Sequence, residues 1–126
     1  MLTHVCVGTN DLAKAKIFYD ATLGVLGVGA PVEDTANNRL IYLSPTSIFI
    51  VGKPLNGEPA TFANGGTVGF HMETPEVVEA WHAAGIAHGG TTCEDPPGLR
   101  PANGFYLAYL RDPDGNKLCG LLRVTD

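Results

Sequence analysis

The 126 residues predict an α+β fold of two successive βαβββ modules, and three observations predict it. Strand and helix signals run in the order β-α-β-β-β twice, a stretch rich in Gly, Pro and Asn separates the runs, and the helix caps of the halves recur at a fixed distance. Taken alone, each module makes a mostly antiparallel four-stranded sheet with its helix on one face, leaving the other face for a partner or a ligand.

The elements follow in order. "LTHVCVG", Leu2 to Gly8, is β-rich. In "TNDLAKAKIFYDATLG" either Thr9 or Asn10 caps a helix whose apolar residues Leu12, Ala15, Phe18, Tyr19 and Leu23 keep helical spacing, and Gly24 stops it. Strands are expected around 28–33, 39–43 and 47–51, and residues 53–65 read as a linker across the surface or over a pocket. The order then begins again: a strand in "TVGFHMET" ends in a cap at Thr74, Pro75 takes the first helical position, and "EVVEAWHAAGIAHGG" continues the helix. Further strands are expected near 87–93, 105–111 and 117–124. "DPDG" before the last strand is a turn in which Pro113 presets φ and Gly115 accepts a positive φ. Along that strand Leu118, Gly120 and Leu122 face one way, and Lys117, Cys119, Leu121 and Arg123 the other. Aligning Asn10 with Thr74 sets an offset of 74 − 10, or 64 residues, which puts His4 opposite Val68 and Gly8 opposite Met72. The organisation expected is one domain over 1–126, with module 1 at 1–52, the linker at 53–65 and module 2 at 66–126.

Composition narrows the function classes. With 44% apolar and 17% charged residues the chain is a compact globular protein and not a disordered one. No apolar run approaches ~18 residues and no basic and apolar leader follows Met1, so neither a membrane span nor a targeting segment is expected. Thirteen acids against eight bases give a net charge of −5, with Lys and Arg scattered, so nucleic acid and membrane are not expected partners. Cys6, Cys93 and Cys119 are odd in number and lack CxxC spacing, which suggests neither a disulfide framework nor a zinc knuckle and fits a cytoplasmic location.

The opening "HVCVGTNDLAKAKIFYDATLG", the mid-chain "NGGTVGFHMETPEVVEAWHAAG" and the late "GGTTCEDPPGLRPANGFYLAYLRDPDGNKL", with their spacing, resemble the vicinal oxygen chelate superfamily over nearly the whole chain. These are the glyoxalase, bleomycin resistance and dioxygenase proteins. The resemblance implies the glyoxalase/bleomycin resistance/dihydroxybiphenyl dioxygenase-like fold, in which curved mixed sheets of paired βαβββ modules surround a cup, and it implies frequent homodimers. Apolar faces and strand edges also call for a second copy. Family enzymes draw the ligands of a divalent metal from the first and last strands of each module. Carried over, these fall on His4, on Val68, near Phe49 or Ile50, and on Cys119. Valine cannot bind a metal. A catalytic zinc needs about three protein ligands, and a non-haem iron two His and a carboxylate. With only His4 and Cys119 at ligand positions the resemblance implies a degenerate site. No cofactor is expected, and a divalent metal is the lesser alternative. His71, three residues beyond Val68, should point to the opposite face, toward the helix layer.

His4 is a candidate general base or hydrogen-bonding group, or a leftover of the family pattern. Cys119 is a candidate nucleophile if His4 lowers its thiol pKa, or a small buried hydrophobe. Tyr42, Phe49, Val68, Arg100, Tyr106 and Tyr109 are expected to line the ligand pocket. Arg100, in "EDPPGLRPANG", would grip a carboxylate or phosphate, or pair with Glu94 or Asp95; Lys53 is a second cationic candidate, and Trp81 reads as helix-to-sheet packing. The function expected is a cup that binds a small organic molecule without a metal. The alternatives are an active metal-dependent enzyme, either a lactoylglutathione-lyase-like lyase or a dioxygenase acting on a small oxygenated or glutathione-linked substrate, and a dimeric interaction module with no ligand.

Overall fold

Two sheets, each carrying one helix, make up the structure, a computed structural model that describes residues 1–124. Thr125 and Asp126, the end of the expected second module, lie outside the described residues. In the first half β1 (His4–Gly8), α1 (Leu12–Val25), β2 (Val32–Asp34), β3 (Arg39–Leu43) and β4 (Ile48–Gly52) give a sheet of order β1-β4-β3-β2. In the second, β5 (Val68–His71), α2 (Pro75–Ala87), β6 (Thr91–Thr92), β7 (Gly98–Arg100), β8 (Phe105–Arg111) and β9 (Lys117–Arg123) give the order β5-β9-β8-β6, with β7 also on β8. First and last strands of each half run parallel and all other pairs antiparallel, so both sheets are mixed.

The helix caps correct the expected repeat. Thr74 caps α2 as the sequence suggests, its Oγ1 accepting from the Val77 amide at 3.1 Å. The cap of α1 is Asp11, whose Oδ1 accepts from the Lys14 amide at 3.1 Å, and not Thr9 or Asn10. The offset is therefore 74 − 11, or 63 residues. One residue of slip turns every side chain of a strand to the other face. At 63, Val5 and Val7 match Val68 and Phe70, and all four pack against the core under the helices. Cys6 then matches Gly69, and Gly8 matches His71.

Three boundaries also move. Gly24 does not stop α1, which runs to Val25 with Leu26 as its C-cap; Gly27 follows with φ 84°, which suits glycine, and Val28 N donates to Leu23 O at 3.1 Å. The strand expected around 28–33 shrinks to Val32–Asp34, since Pro31 has no amide for a ladder. Near 87–93 only Thr91 and Thr92 are strand, and the proline-rich loop contributes the unforeseen β7.

The helices pack on each other as well as on their sheets, which makes the seam between the halves the core. Rings cross it in sequence: Tyr19 to Phe49 at 4.9 Å, Phe49 to Phe70 at 5.4 Å, and Phe70 to Trp81 at 6.3 Å. Edge-on and tilted pairs of this kind contribute roughly 0.5–1.5 kcal/mol each beyond area burial. Trp81 is fully buried here as a packing residue.

A buried carboxylate locks the same seam. Asp112 Oδ2 accepts from the Tyr19 hydroxyl at 2.5 Å and from Asn116 Nδ2 at 2.9 Å, and its Oδ1 accepts from the Asp114 and Asn116 amides, both at 2.9 Å. Asn116 Nδ2 also donates to Gly8 O at 2.9 Å, and Asn10 N to Asp114 Oδ1 at 2.9 Å. The "DPDGN" turn therefore ties β8 and β9 to the end of β1. Burial raises the Asp112 pKa, opposed by its hydrogen bonds, and burial beside that carboxylate pushes the Tyr19 hydroxyl well above the usual phenol range.

Candidate functional site

Alternation leaves each sheet an outer face turned away from its helix. On the first sheet that face carries His4, Cys6 and Gly8 from β1, Ile48, Ile50 and Gly52 from β4, and Arg39 from β3. A recess of about 650 Å³ opens over it. Its floor depends on two glycines. Gly8 and Gly52 are register partners, and a Cβ on Gly8 would sit 3.0 Å from Ala60 Cβ, while one on Gly52 would sit 2.8 Å from Arg39 Cβ. With neither present, the linker descends onto β1 and the Arg39 stem lies across β4.

The linker is the wall of the recess. Asn10 holds it with two bonds to one residue: Nδ2 donates to Ala60 O at 3.1 Å, and Oδ1 accepts from Ala60 N at 2.7 Å. Pro54, Leu55 and Pro59 present apolar surface from the linker, and Cys6 and Ile50 from the floor. Cations stand at one side. Asn38 adopts φ 53°, a left-handed conformation that Asn tolerates, before Arg39 enters β3, and Asn38 O accepts from Lys53 N at 3.0 Å. Arg39 Nε donates to Asp34 Oδ2 at 2.9 Å, and the Asp34 carboxyl is held low by its hydrogen bonds from Asn37 and Arg39.

Smaller recesses of about 360 Å³ and 220 Å³ continue along the linker. The first shares Cys6, Gly8 and Thr61 with the main recess and reaches Lys117; the second adds Arg111 and Phe62. Lys117 pairs with Glu94 and lies 5.1 Å over the Tyr109 ring, while Arg111 donates to Gly115 O at 2.8 Å and stacks 5.4 Å from Phe62. Four of the eight Lys and Arg that look scattered along the sequence are thus gathered: Arg39, Lys53, Arg111 and Lys117 line these recesses, which no Asp or Glu among the described residues lines, while Glu58 lines a further recess of about 320 Å³ that shares Lys53, Pro54 and Pro59.

The outer face of the second sheet is closed in its middle, while Gly69 and His71 on its β5 edge are exposed. Cys119 and Leu107 are buried there, with Tyr109 opposite Cys119 in the ladder. Burial pushes the Cys119 thiol up, with the Tyr109 hydroxyl pulling the other way, and the same burial raises Tyr109. Arg100 is on this face but serves its own loop, donating from Nη1 to Pro96 O and Gly98 O, both at 3.0 Å, and from Nη2 to Asp95 O at 3.2 Å. It grips backbone carbonyls, and not the carboxylates of Glu94 or Asp95.

The residues singled out from sequence are dispersed. His4 is exposed on the first sheet with Nδ1 2.8 Å from Thr3 Oγ1, and Cys119 is buried on the second; none of the described recesses is lined by both. Val68 lies on the helix side, level with Leu118, and only edges the 360 Å³ recess. Tyr42 donates its hydroxyl to Asp20 of α1 at 2.8 Å, and Tyr106 to Glu79 of α2 at 2.8 Å. Phe49 belongs to the chain of rings, and with Tyr42 it borders a separate seam crevice of about 400 Å³. His71 does not pack under the helix: it is exposed, with Nε2 3.2 Å from Glu73. Sequence reasoning missed Cys6, Arg39 and the strap from Asn10. Their signal was the glycine closing each of β1 and β4, the first just ahead of the capping segment Thr9 to Asp11 and the second directly before the linker.

The donor set does not fit the metal that the resemblance implies. In the corrected register Thr67 matches His4, and the level of Ile50 on β4 is that of Cys119 on β9, so the four positions offer an imidazole, a neutral hydroxyl, a hydrocarbon and a thiol on two different sheets. Among the described residues no three of His, Cys, Asp and Glu gather where a metal ion could be held.

The profile of the Glyoxalase/Bleomycin resistance protein/Dioxygenase superfamily matches residues 1–119. The chain belongs to this superfamily. A crystal structure of a glyoxalase/bleomycin resistance protein from Albidiferax ferrireducens T118 is 56% identical, covers 98% of both chains and superposes with a TM-score of 0.91. More distant superfamily structures share the fold: a glyoxalase-related enzyme from Fulvimarina pelagi at 20% identity, covering 97% of this chain and 87% of its own, with TM-score 0.78; and a lactoylglutathione lyase from Agrobacterium tumefaciens at 21%, covering 97% and 92%, with TM-score 0.67. Among curated proteins, none matches the chain. No helix of the described residues is long and apolar enough to cross a membrane.

Proposed function

We propose that this superfamily member binds a small organic molecule, without a metal, in the recess between the first sheet and the linker. The recess carries the reading. Its volume of about 650 Å³ falls within the roughly 300–1,000 Å³ of small-molecule sites, and its shape is built in by Gly8, Gly52 and the Asn10 strap. The ligand-binding set is Cys6, Arg39, Ile50 and Lys53. Metal independence is supported by the donor set, in which hydrocarbon and hydroxyl stand at two of the four positions. A homodimer belongs to the same reading: Leu43 is 55% exposed, with Ile41 and Ile48 beside it, an apolar strip that a second copy would cover.

Cys6, an exposed thiol on the floor of the recess, reports occupancy. In a Cys93→Ser background, iodoacetamide labelling of Cys6 read by peptide mass should slow in the presence of aryl-alkyl acids, amides or alcohols, equally with and without EDTA. The reading fails if no such compound slows labelling, or if protection requires a stoichiometric metal that EDTA removes. Sedimentation at micromolar concentration should show a dimer; a monomer would remove the homodimer from the proposal.

A further inference from the structure

Resting on that reading, the structure points to the chemical class of the ligand: we infer that the recess takes a small organic anion, its charged head between Arg39 and Lys53 and its apolar body along Leu55 and Ile50 toward Cys6. The chain as a whole argues against anion binding, with thirteen acids against eight bases. The recess inverts that balance. Arg39 and Lys53 line it, Lys117 and Arg111 line its continuations toward β9, and no carboxylate lines any of these three among the described residues; Glu58 lines a neighbouring recess of about 320 Å³ that shares Lys53, Pro54 and Pro59. A cleft lined by one sign of charge with low-dielectric walls concentrates the opposite ion even when net charge opposes it.

The four cations are not equally free. Arg111 and Lys117 are occupied, by the Gly115 carbonyl and Phe62 in one case and by Glu94 in the other. Arg39 gives only Nε to Asp34, and among the described residues its two Nη groups and Lys53 Nζ make no hydrogen bond or ion pair. A guanidinium held by Nε presents the edge that takes a carboxylate or phosphate oxygen pair, and a neighbouring ammonium adds a movable point charge. Placement of this pair is structural. Lys53 follows Gly52, its amide is bonded to Asn38 O, and Gly52 is the register partner of Arg39 with room for the Arg39 stem. Away from the cations, the proline and leucine of the linker and Ile50 call for a hydrocarbon body.

The experiment compares 4-phenylbutyrate with 4-phenylbutanamide, a pair alike in shape and different in charge, through protection of Cys6 from iodoacetamide in the Cys93→Ser protein. The acid should protect at a concentration about tenfold or more below that of the amide, and 0.5 M NaCl should weaken the acid alone. Lys53→Gln and Arg39→Gln should each bring the acid toward the amide; Lys53→Gln carries the test if loss of the Asp34 partner unfolds the Arg39 variant. Phenyl phosphate in a further arm assigns the head as phosphate if it protects better than 4-phenylbutyrate, and as carboxylate if it protects less well. Equal protection by acid and amide, unchanged in both variants, would overturn the anion inference and leave the small-molecule recess standing. No protection by either would overturn both.

Discussion

At the end of its parallel strand pair the first sheet sets Gly8 against Gly52, whereas the second sets His71 against Leu121. One level back, Cys6 against Ile50 answers Gly69 against Cys119. The frames are equivalent and the outer faces are not. Glycines clear the first face, and a linker strapped by Asn10 roofs the space, leaving a recess with an exposed thiol on its floor. Side chains close the middle of the second, where Arg100 draws its loop together and Cys119 is buried, and its β5 edge stays open at Gly69 and His71. In a repeated frame the helix-facing positions are held by packing; the outward positions are free to specialise, and two glycines suffice to separate a site from a wall.

The largest effect is expected at the lock common to both faces. Asp112→Ala removes a buried acceptor of four hydrogen bonds and should cost about 3 kcal/mol or more in urea unfolding, exposing the recess and the closed face together. The same carboxyl has a pH signature. Because burial raises its pKa in the folded state, the native protein holds this proton to higher pH than the unfolded chain, so the group's stabilisation is complete below the ordinary value of 3.8 and is lost as pH rises through the raised value. The urea midpoint of wild type relative to Asp112→Asn should decline across that interval; a flat difference would show that the carboxyl does not titrate there.

Next in size is an added methyl. Gly52→Ala places a Cβ 2.8 Å from Arg39 Cβ, where no flexible end can yield, and should cost about 1–3 kcal/mol. Gly69→Ala on the second sheet meets nothing within 4 Å and should be neutral or stabilising by about 0.5 kcal/mol. Equal costs would erase the difference between the faces.

The thiols sharpen the contrast further. Cys6 is exposed, and Cys119 is buried with its pKa pushed up, so iodoacetamide should label Cys6 at least about tenfold faster. His4→Ala should leave Cys119 labelling unchanged, since the two side chains belong to different sheets; a marked change would restore a Cys–His pair. The smallest effect is expected from Arg100→Gln, which releases three backbone carbonyls on an exposed loop. It should cost about 1 kcal/mol or less, seen chiefly as faster labelling of Cys119.

Much of the fold was legible from residues. β3 and β8 lie where β-branched and aromatic runs set them, Thr74 and Pro75 open α2 by local chemistry, and the parity of β9 follows from Leu118, Gly120 and Leu122. The site was less so. Thr9, Asn10 and Asp11 all suit a helix cap, and only the bond from Lys14 N selects Asp11; that one-residue choice decides whether Val68 faces a ligand or the core. Tyr42 borders the seam crevice, but that its hydroxyl and that of Tyr106 are held by Asp20 and Glu79, distant in the chain, is visible only in the fold. Local order is written in short-range patterns of capping, alternation and turn chemistry, so the sequence alone determined the two modules and the superfamily they resemble. Which outer face is open, and which cations gather around it, depends on Gly8, Gly52, Asn10 and Arg39 meeting Ala60 and Lys53. Those contacts exist only after the linker has closed over the sheet, and only the tertiary structure could decide them.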